Sequence, residues 1–150
     1  MNPNIEILPM NETSAYDAAA LERICFSSPW SAGSLIEALG RADSSFLTAF
    51  VDGEFAGYAG MLCVLDEGQI CNVAVCPAFR RMGVGEALMA AQREAAASRG
   101  VSVMMLEVRA SNTAAQRLYE KMGWEMIGTR RNFYSHPRED AILYNLYLNT

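Results

Sequence analysis

Nowhere in the 150 residues does an apolar run approach the roughly 18 needed to cross a bilayer as a helix, so no membrane span is expected. The opening MNPNIEILPMNET lacks the basic start, apolar middle and small-residue cleavage site of a signal peptide. The expected location is the cytoplasm, where the chain is made. Cysteine is sparse: Cys25, Cys63, Cys71 and Cys76 form no CxxC pair, and the sole histidine, His136, is far from them in sequence. Zinc wants paired ligands at close spacing, so no metal is expected and the four read as buried reduced thiols. Repeats, low-complexity tracts and linkers are missing too, and the length suits a single domain over 1–150. A domain of this size buries about 70% of its unfolded surface and needs no staples. Positive charge is in deficit, 12 Lys and Arg against 17 Asp and Glu, for a net −5. Nonspecific nucleic-acid binding is therefore not expected, whereas encounter with a basic partner is favoured.

Against these absences stands a regular alternation of elements. Ile5–Leu8 reads as a strand and Thr13–Ile24 as a helix, with Thr13 as a possible cap and Leu21 and Ile24 as late apolar positions. Ser31 can cap a helix to about Leu39, with Trp30 stapled onto Leu35 and Gly40 as the stop. Ser45–Val51, Glu54–Leu65 and Gly68–Val75 then read as an antiparallel meander turning at Asp52-Gly53 and at Asp66–Gly68. Pro77 ends the third run. From Gly83 the period becomes helical, with Val84, Leu88, Ala91 and Ala95 on one face and Gly100 as the close. Val101–Val108 reads as a strand buried on both faces. Ser111–Met122 reads as a helix carrying Ala115, Leu118 and Met122 on one face, with Gly123 beyond it. Trp124–Asn132 and Ala141–Leu148 are the last two strands. The order β-α-α-β-β-β-α-β-α-β-β predicts an α/β protein with a mixed, mostly antiparallel sheet flanked by helices.

The sharpest motif is Arg80-Arg81-Met82-Gly83-Val84-Gly85-Glu86-Ala87-Leu88, between a strand end and a helix start. Glycines let the backbone turn tightly, the helix start offers free N–H groups and a positive dipole end, and the arginines add charge. That combination suits a pyrophosphate. A dinucleotide-binding GxGxxG loop is the first rival, but Leu88 occupies the third glycine position, although Glu107 falls at the spacing of a ribose-binding acid. Such a loop also follows the first strand of a parallel unit, and here three antiparallel strands precede it. A Walker loop needs a lysine that is not there. A plain left-handed turn capping a helix stays open on the glycines alone.

Arg80-x-x-Gly83-x-Gly85 matches the Arg/Gln-x-x-Gly-x-Gly/Ala motif of the GNAT acetyltransferases, which the chain resembles along nearly its whole length. Within that superfamily it is similar to the ribosomal-protein-alanine N-acetyltransferases, the RimI group. The similarity rests on PWS at Pro29–Ser31, LDE at Leu65–Glu67, NVAV at Asn72–Val75, LEVRASN at Leu106–Asn112, LYEKMGW at Leu118–Trp124, and RRNFY with REDAI within Arg130–Ile142. Tyr144 stands where methionine is expected, and Trp124 where phenylalanine is usual. The resemblance implies the GNAT (acyl-CoA N-acyltransferase) fold and acetyl-CoA as co-substrate. It further implies that Arg81, Met82, Gly83, Val84, Gly85 and Glu86 hold the pyrophosphate, while Val73, Ala74 and Val75 pair with the pantetheine amides as an added strand would.

Glu107 sits near the C-terminal end of an apolar strand, where ligand crevices open in α/β sheets, on the face of Val103 and Met105. A carboxylate among apolar neighbours holds its proton more tightly, which suits a proton acceptor. The plain alternative is an ion pair with Arg109, two residues on. Tyr119 can be a half-buried core residue, or a phenol that stays protonated at neutral pH and gives its proton to a thiolate. The resemblance makes Glu107 the general base and Tyr119 the general acid. Asn112 can be an N-cap, and the resemblance adds a contact to the pantetheine arm; both can hold.

By resemblance the acceptor is the N-terminal α-amine, alanine, of a basic ribosomal-protein segment. An α-amine has a pKa near ~7.8 against ~10.4 for lysine, so far more of it is neutral at pH 7.5. The other readings are a GNAT enzyme acting on a small-molecule amine or a protein lysine, and a non-catalytic acyl-CoA sensor.

Overall fold

Polar caps and left-handed turns cut the chain into elements in the expected order. The structure, a computed structural model, describes residues 4–148. The elements are β1 (Ile5–Pro9), α1 (Glu12–Cys25), α2 (Ala32–Leu39), β2 (Ser44–Val51), β3 (Glu54–Val64), β4 (Glu67–Val75), α3 (Val84–Ser98), β5 (Val103–Arg109), α4 (Thr113–Lys121), β6 (Glu125–Tyr134) and β7 (Glu139–Tyr147). A turn of 3-10 helix at Pro77–Phe79 joins β4 to α3. Asn11, not Thr13, caps α1. Its side chain accepts the Ser14 N–H at 2.8 Å, and Ser14 Oγ accepts the Asn11 N–H at 2.9 Å, a reciprocal capping box. Ser31 caps α2 as expected, accepting the Ser34 N–H at 3.1 Å, and Trp30 and Leu35 share one apolar cluster. Gly40 does end α2, but in a right-handed conformation at φ −77°.

The seven strands form one sheet in the order β1-β2-β3-β4-β5-β7-β6. Every pairing is antiparallel except β4 with β5. Asp52 and Gly53 both take positive φ, as a tight hairpin turn needs. The next turn falls at Leu65-Asp66, earlier than expected, because the ladder runs on to Val64↔Glu67. α1 and α2 pack on one face over β2–β4, against Phe46, Tyr58 and Ala74. On the other face α3 covers Ala49, Val51 and Ala59, and α3 and α4 together cover Met104, Leu106 and Val108.

Two helix faces bury a polar residue that apolar spacing does not mark. On α1 the buried stripe is Ala15, Ala18, Ala19 and Glu22, together with Leu21, while Ile24 is 68% exposed. On α3 it is Val84, Leu88, Met89, Gln92 and Ala96, with Ala91 and Ala95 only half-buried. Gln92 tolerates burial because Nε2 donates to the Ser45 and Ala59 carbonyls at 2.8 Å and Oε1 accepts from Ser45 Oγ at 2.9 Å. A pattern read from apolar residues alone skips both polar members. β5 is also not buried on both faces: Met104, Leu106 and Val108 are buried, but Val103, Met105, Glu107 and Arg109 are half-exposed. Their face lies beyond the strip that α1 and α2 cover.

One irregularity opens the sheet. β4 pairs with β5 only at Glu67↔Val103, Gly68↔Met104 and Gln69↔Met105. Beyond that point β4 stays with β3 as far as Gly57↔Val75, and β5 stays with β7 as far as Arg109↔Ala141. The β3–β4 register shifts where Met61↔Ile70 is followed by Gly60↔Asn72, leaving Cys71 as an extra residue. A bulge of this kind bends its strand, here where β4 leaves β5. The two strands diverge in a V.

Candidate active site

The V holds a cavity of about 630 Å³. Its sides are Ile70–Val73 of β4 and Leu106–Arg109 of β5. One wall is Cys25 at the end of α1 with Phe26, Ser27, Ser28 and Trp30 of the α1–α2 connection, and the other is the β6–β7 hairpin from Phe133 to Pro137. Of the candidate catalytic and cofactor-binding residues, Val73, Glu107, Asn112 and Tyr119 line this one space. Ala74 does not, since its side chain is buried under α1 and α2. Val75 and Arg81–Glu86 lie further along, where β4 runs out toward α3.

Glu107 shares a face with Val103 and Met105, as strand parity requires. It is not paired with Arg109, whose Nη1 bonds Glu139 Oε1 at 3.2 Å. Tyr119 is only 6% exposed. Its ring packs against Trp124 and Tyr144 at centroid distances of 5.9 and 6.2 Å. Its hydroxyl bonds to no described residue, and the residue lines the cavity. Burial, helped by nearby Tyr134, pushes that hydroxyl's pKa up to about 12. Asn112 caps α4, accepting the Ala115 N–H at 3.2 Å.

The loop is built from backbone. Arg81 and Gly83 both take left-handed φ, 64° and 87°, and a Cβ on Gly83 would meet nothing within 4 Å. The first α3 bond is Ala87 N–H to Gly83 O, so the N–H groups of Val84, Gly85 and Glu86 have no helix partner. Such an array fits a pyrophosphate. Arg80 is turned away, with Nε on the Val75 carbonyl at 3.3 Å and Nη2 on Cys25 Sγ at 3.6 Å. After the divergence, the β4 backbone edge facing away from β3 has no strand beside it among the described residues, which fits a ligand carrying amides.

Residues 15–124 match the Acetyltransferase (GNAT) family. The chain belongs to the GNAT family. Among curated relatives, it is 39% identical over 139 residues to the [ribosomal protein bS18]-alanine N-acetyltransferase of Escherichia coli K12, covering 90% of this chain and 93% of that one. It is 37% identical over 131 residues to the protein of that name from Haemophilus ducreyi, covering 85% and 90%. Among solved structures, the ribosomal-protein-S18-alanine N-acetyltransferase of Escherichia coli superposes with a TM-score of 0.88 at 33% identity, over 98% of this chain and 96% of that one. This GNAT chain is an acetyl-CoA-dependent N-acetyltransferase.

Three features of the GNAT site were not foreseen. Glu22 lines the cavity with no exposed surface, accepting from Tyr58, Asn72 and the Trp30 backbone. Burial raises its pKa, against the pull of the Tyr58 and Trp30 hydrogen bonds. The available signal was a glutamate on an alanine stripe at i, i+3, i+4, i+7. Tyr134 lines the hairpin wall, its pKa pushed up to about 12 by burial and then by the charge of Glu107. Arg109 grips that wall, donating to the Ser135 and Pro137 carbonyls and stacking 4.4 Å from the Tyr134 ring centroid. The four cysteines are free but only half-buried. Cys71 borders the cavity, and burial raises its pKa to about 11, which keeps it a thiol.

Proposed function

We propose that this enzyme, as a single domain acting in the cytoplasm, transfers acetyl from acetyl-CoA to the N-terminal α-amine of a ribosomal protein, with alanine as the acceptor residue. The observation that carries the reading is the meeting of Glu107 and Tyr119 in one cleft where β4 leaves β5, with the Tyr119 hydroxyl free of partners among the described residues. Acetyl-CoA supplies the activated acyl group. The N–H groups of Val84, Gly85 and Glu86, with Arg81, Met82 and Gly83 shaping the turn, hold its pyrophosphate. The free edge of Val73–Val75 holds its amides, with Asn112 beside them. The Glu107 carboxylate accepts the proton that the amine sheds as the N–C bond forms, directly or through water. The Tyr119 hydroxyl gives a proton to the sulfur as the C–S bond breaks. Each then returns to its starting state by exchange with solvent.

The acceptor is supported by the named activity of the relatives and by two physical points. An α-amine is partly neutral near pH 7.5, which a single carboxylate base can manage, whereas a lysine demands more. A chain of net charge −5 attracts a basic segment, an attraction that salt weakens. The test offers two matched basic peptides, one with a free N-terminal alanine and blocked lysines, the other the reverse. Label on the first supports the reading. Label mainly on the second, or only on a small amine, overturns the acceptor while leaving the acetyltransferase. Acetyl-CoA binding with no transfer to any acceptor would make the protein a sensor.

A further inference from the structure

The acceptor wall between α1 and α2 lacks regular structure from Phe26 to Ser31, yet it borders the cleft. A segment of that kind needs a tie to hold one shape. The tie visible here is a carboxylate buried in the α1 stripe. Glu22 Oε1 accepts the Trp30 backbone N–H at 3.0 Å. Glu22 Oε2 accepts the Tyr58 hydroxyl at 2.5 Å and Asn72 Nδ2 at 3.2 Å. Asn72 Nδ2 also reaches Tyr58 Oη at 3.3 Å, closing the group. Tyr58 is itself fully buried on β3, and Asn72 lies just past the Cys71 bulge of β4. One carboxylate therefore joins the wall to both strands on the β4 side of the V.

All three partners donate, and Glu22 is the common acceptor. Trp30 is held a second time through its ring, 6.0 Å from Phe46, which stacks at 6.5 Å on Tyr58. The backbone tie and the ring contact converge on the same residue. With no exposed surface and both oxygens engaged, Glu22 acts through the residues it holds.

We propose that Glu22 is a positioning residue for the acceptor: by fixing the Trp30 backbone against Tyr58 and Asn72, it sets the Phe26–Trp30 segment as the wall that receives the incoming amine's chain. This rests on the reading of the cleft as the acceptor site. Glutamine offers one oxygen and one NH2 group: with the oxygen on the Trp30 N–H, the NH2 can donate to the Tyr58 oxygen but meets Asn72 Nδ2 donor to donor, so it replaces the carboxylate only in part.

The test measures steady-state kinetics and amide hydrogen exchange for the wild type, Glu22→Ala, Glu22→Gln and Tyr58→Phe. Glu22→Ala should raise acceptor KM roughly 10- to 100-fold, the scale of a lost hydrogen bond to a buried charged group. Glu22→Gln and Tyr58→Phe should raise it less. In every variant kcat at saturating acceptor and the acetyl-CoA dissociation constant should stay within about threefold of wild type, while the Trp30 amide exchanges faster. If Glu22→Ala does not fold, the two conservative variants decide by the same readouts. Unchanged acceptor KM with unchanged Trp30 exchange overturns the proposal. So does a loss confined to kcat, or an equal weakening of acetyl-CoA. If the wild type labels the lysine peptide instead of the alanine peptide, the α-amine reading fails, and the same KM comparison on the lysine peptide decides the role of Glu22.

Discussion

The two ends of the V are made of different material. Toward α3, the loop from Arg81 to Glu86 offers backbone: two left-handed residues and three helix-start N–H groups. Around the cleft, both walls are held by side chains of opposite charge. Glu22 grips the backbone of the α1–α2 connection, and Arg109 grips that of the β6–β7 hairpin. A backbone site depends on the conformation of a few consecutive residues, and any side chain compatible with that conformation will serve. A clamped wall depends on partners brought from distant parts of the chain. The first end should therefore govern acetyl-CoA affinity and the second acceptor affinity, with little exchange between them.

The chemistry belongs to neither end and should show the largest effect. Glu107→Gln should lower kcat by about 10²–10⁴-fold while leaving both binding constants close to wild type. A rise in acceptor KM without loss of kcat would move Glu107 from proton transfer to recognition. Next in size, Gly83→Ala forces a Cβ into a left-handed conformation that costs about 1–2 kcal/mol. The acetyl-CoA dissociation constant, followed by the melting shift with ligand, should rise by roughly tenfold, and acceptor KM should not move. A change in acceptor KM alone would erase the division between the ends.

Arg109→Ala should act in the mirror sense. Its loss frees the Ser135 and Pro137 carbonyls and Glu139, and acceptor KM should rise by about threefold to tenfold, the range for partly exposed charged hydrogen bonds. Acetyl-CoA binding should be untouched, and a weakening there would show the hairpin serving both substrates. The smallest effect is a pH dependence. The Ser111 hydrogen bond, and then Arg109, hold Glu139 below its ordinary value of 4.5. Because the folded value is the lower one, its contribution is complete above pH 4.5 and fades as pH falls through the folded value. Exchange protection of the hairpin amides should hold down to pH 4.5 and decline below it, and Glu139→Gln should abolish that acid step. An unchanged step in the variant would assign it to another carboxylate.

The same contrast explains what the sequence made legible. The loop was readable because Arg81, Gly83 and the helix start are neighbours in the chain, and a glycine at positive φ marks itself. Element order was readable from periodicity and from turn residues such as Asp52-Gly53. The parting of β4 from β5 could be expected only through resemblance, and its local cause, the extra residue at Cys71, exists only as a register against β3. The clamps stayed hidden for a related reason. Glu22 meets Trp30, Tyr58 and Asn72, and Arg109 passes over Glu107, two residues away on the same face, to reach Glu139 at the start of the neighbouring β7. Glu22 gives no signal of burial in the sequence, because apolar periodicity discounts a carboxylate that its partners make tolerable.

Tyr119 gives the most direct measurement of the central claim, that the V is an acetyl-transfer site. Tyr119→Phe removes only the hydroxyl and keeps the ring that packs on Trp124 and Tyr144, so the melting temperature and the acetyl-CoA melting shift should match wild type. At saturating acetyl-CoA and alanine peptide, kcat should fall by about 10²–10⁴-fold. With the hydroxyl's pKa near about 12, the wild-type rate should show no alkaline loss from this group up to about pH 10. Wild-type turnover in a folded, acetyl-CoA-binding Tyr119→Phe would contradict the account and leave the tyrosine a core residue.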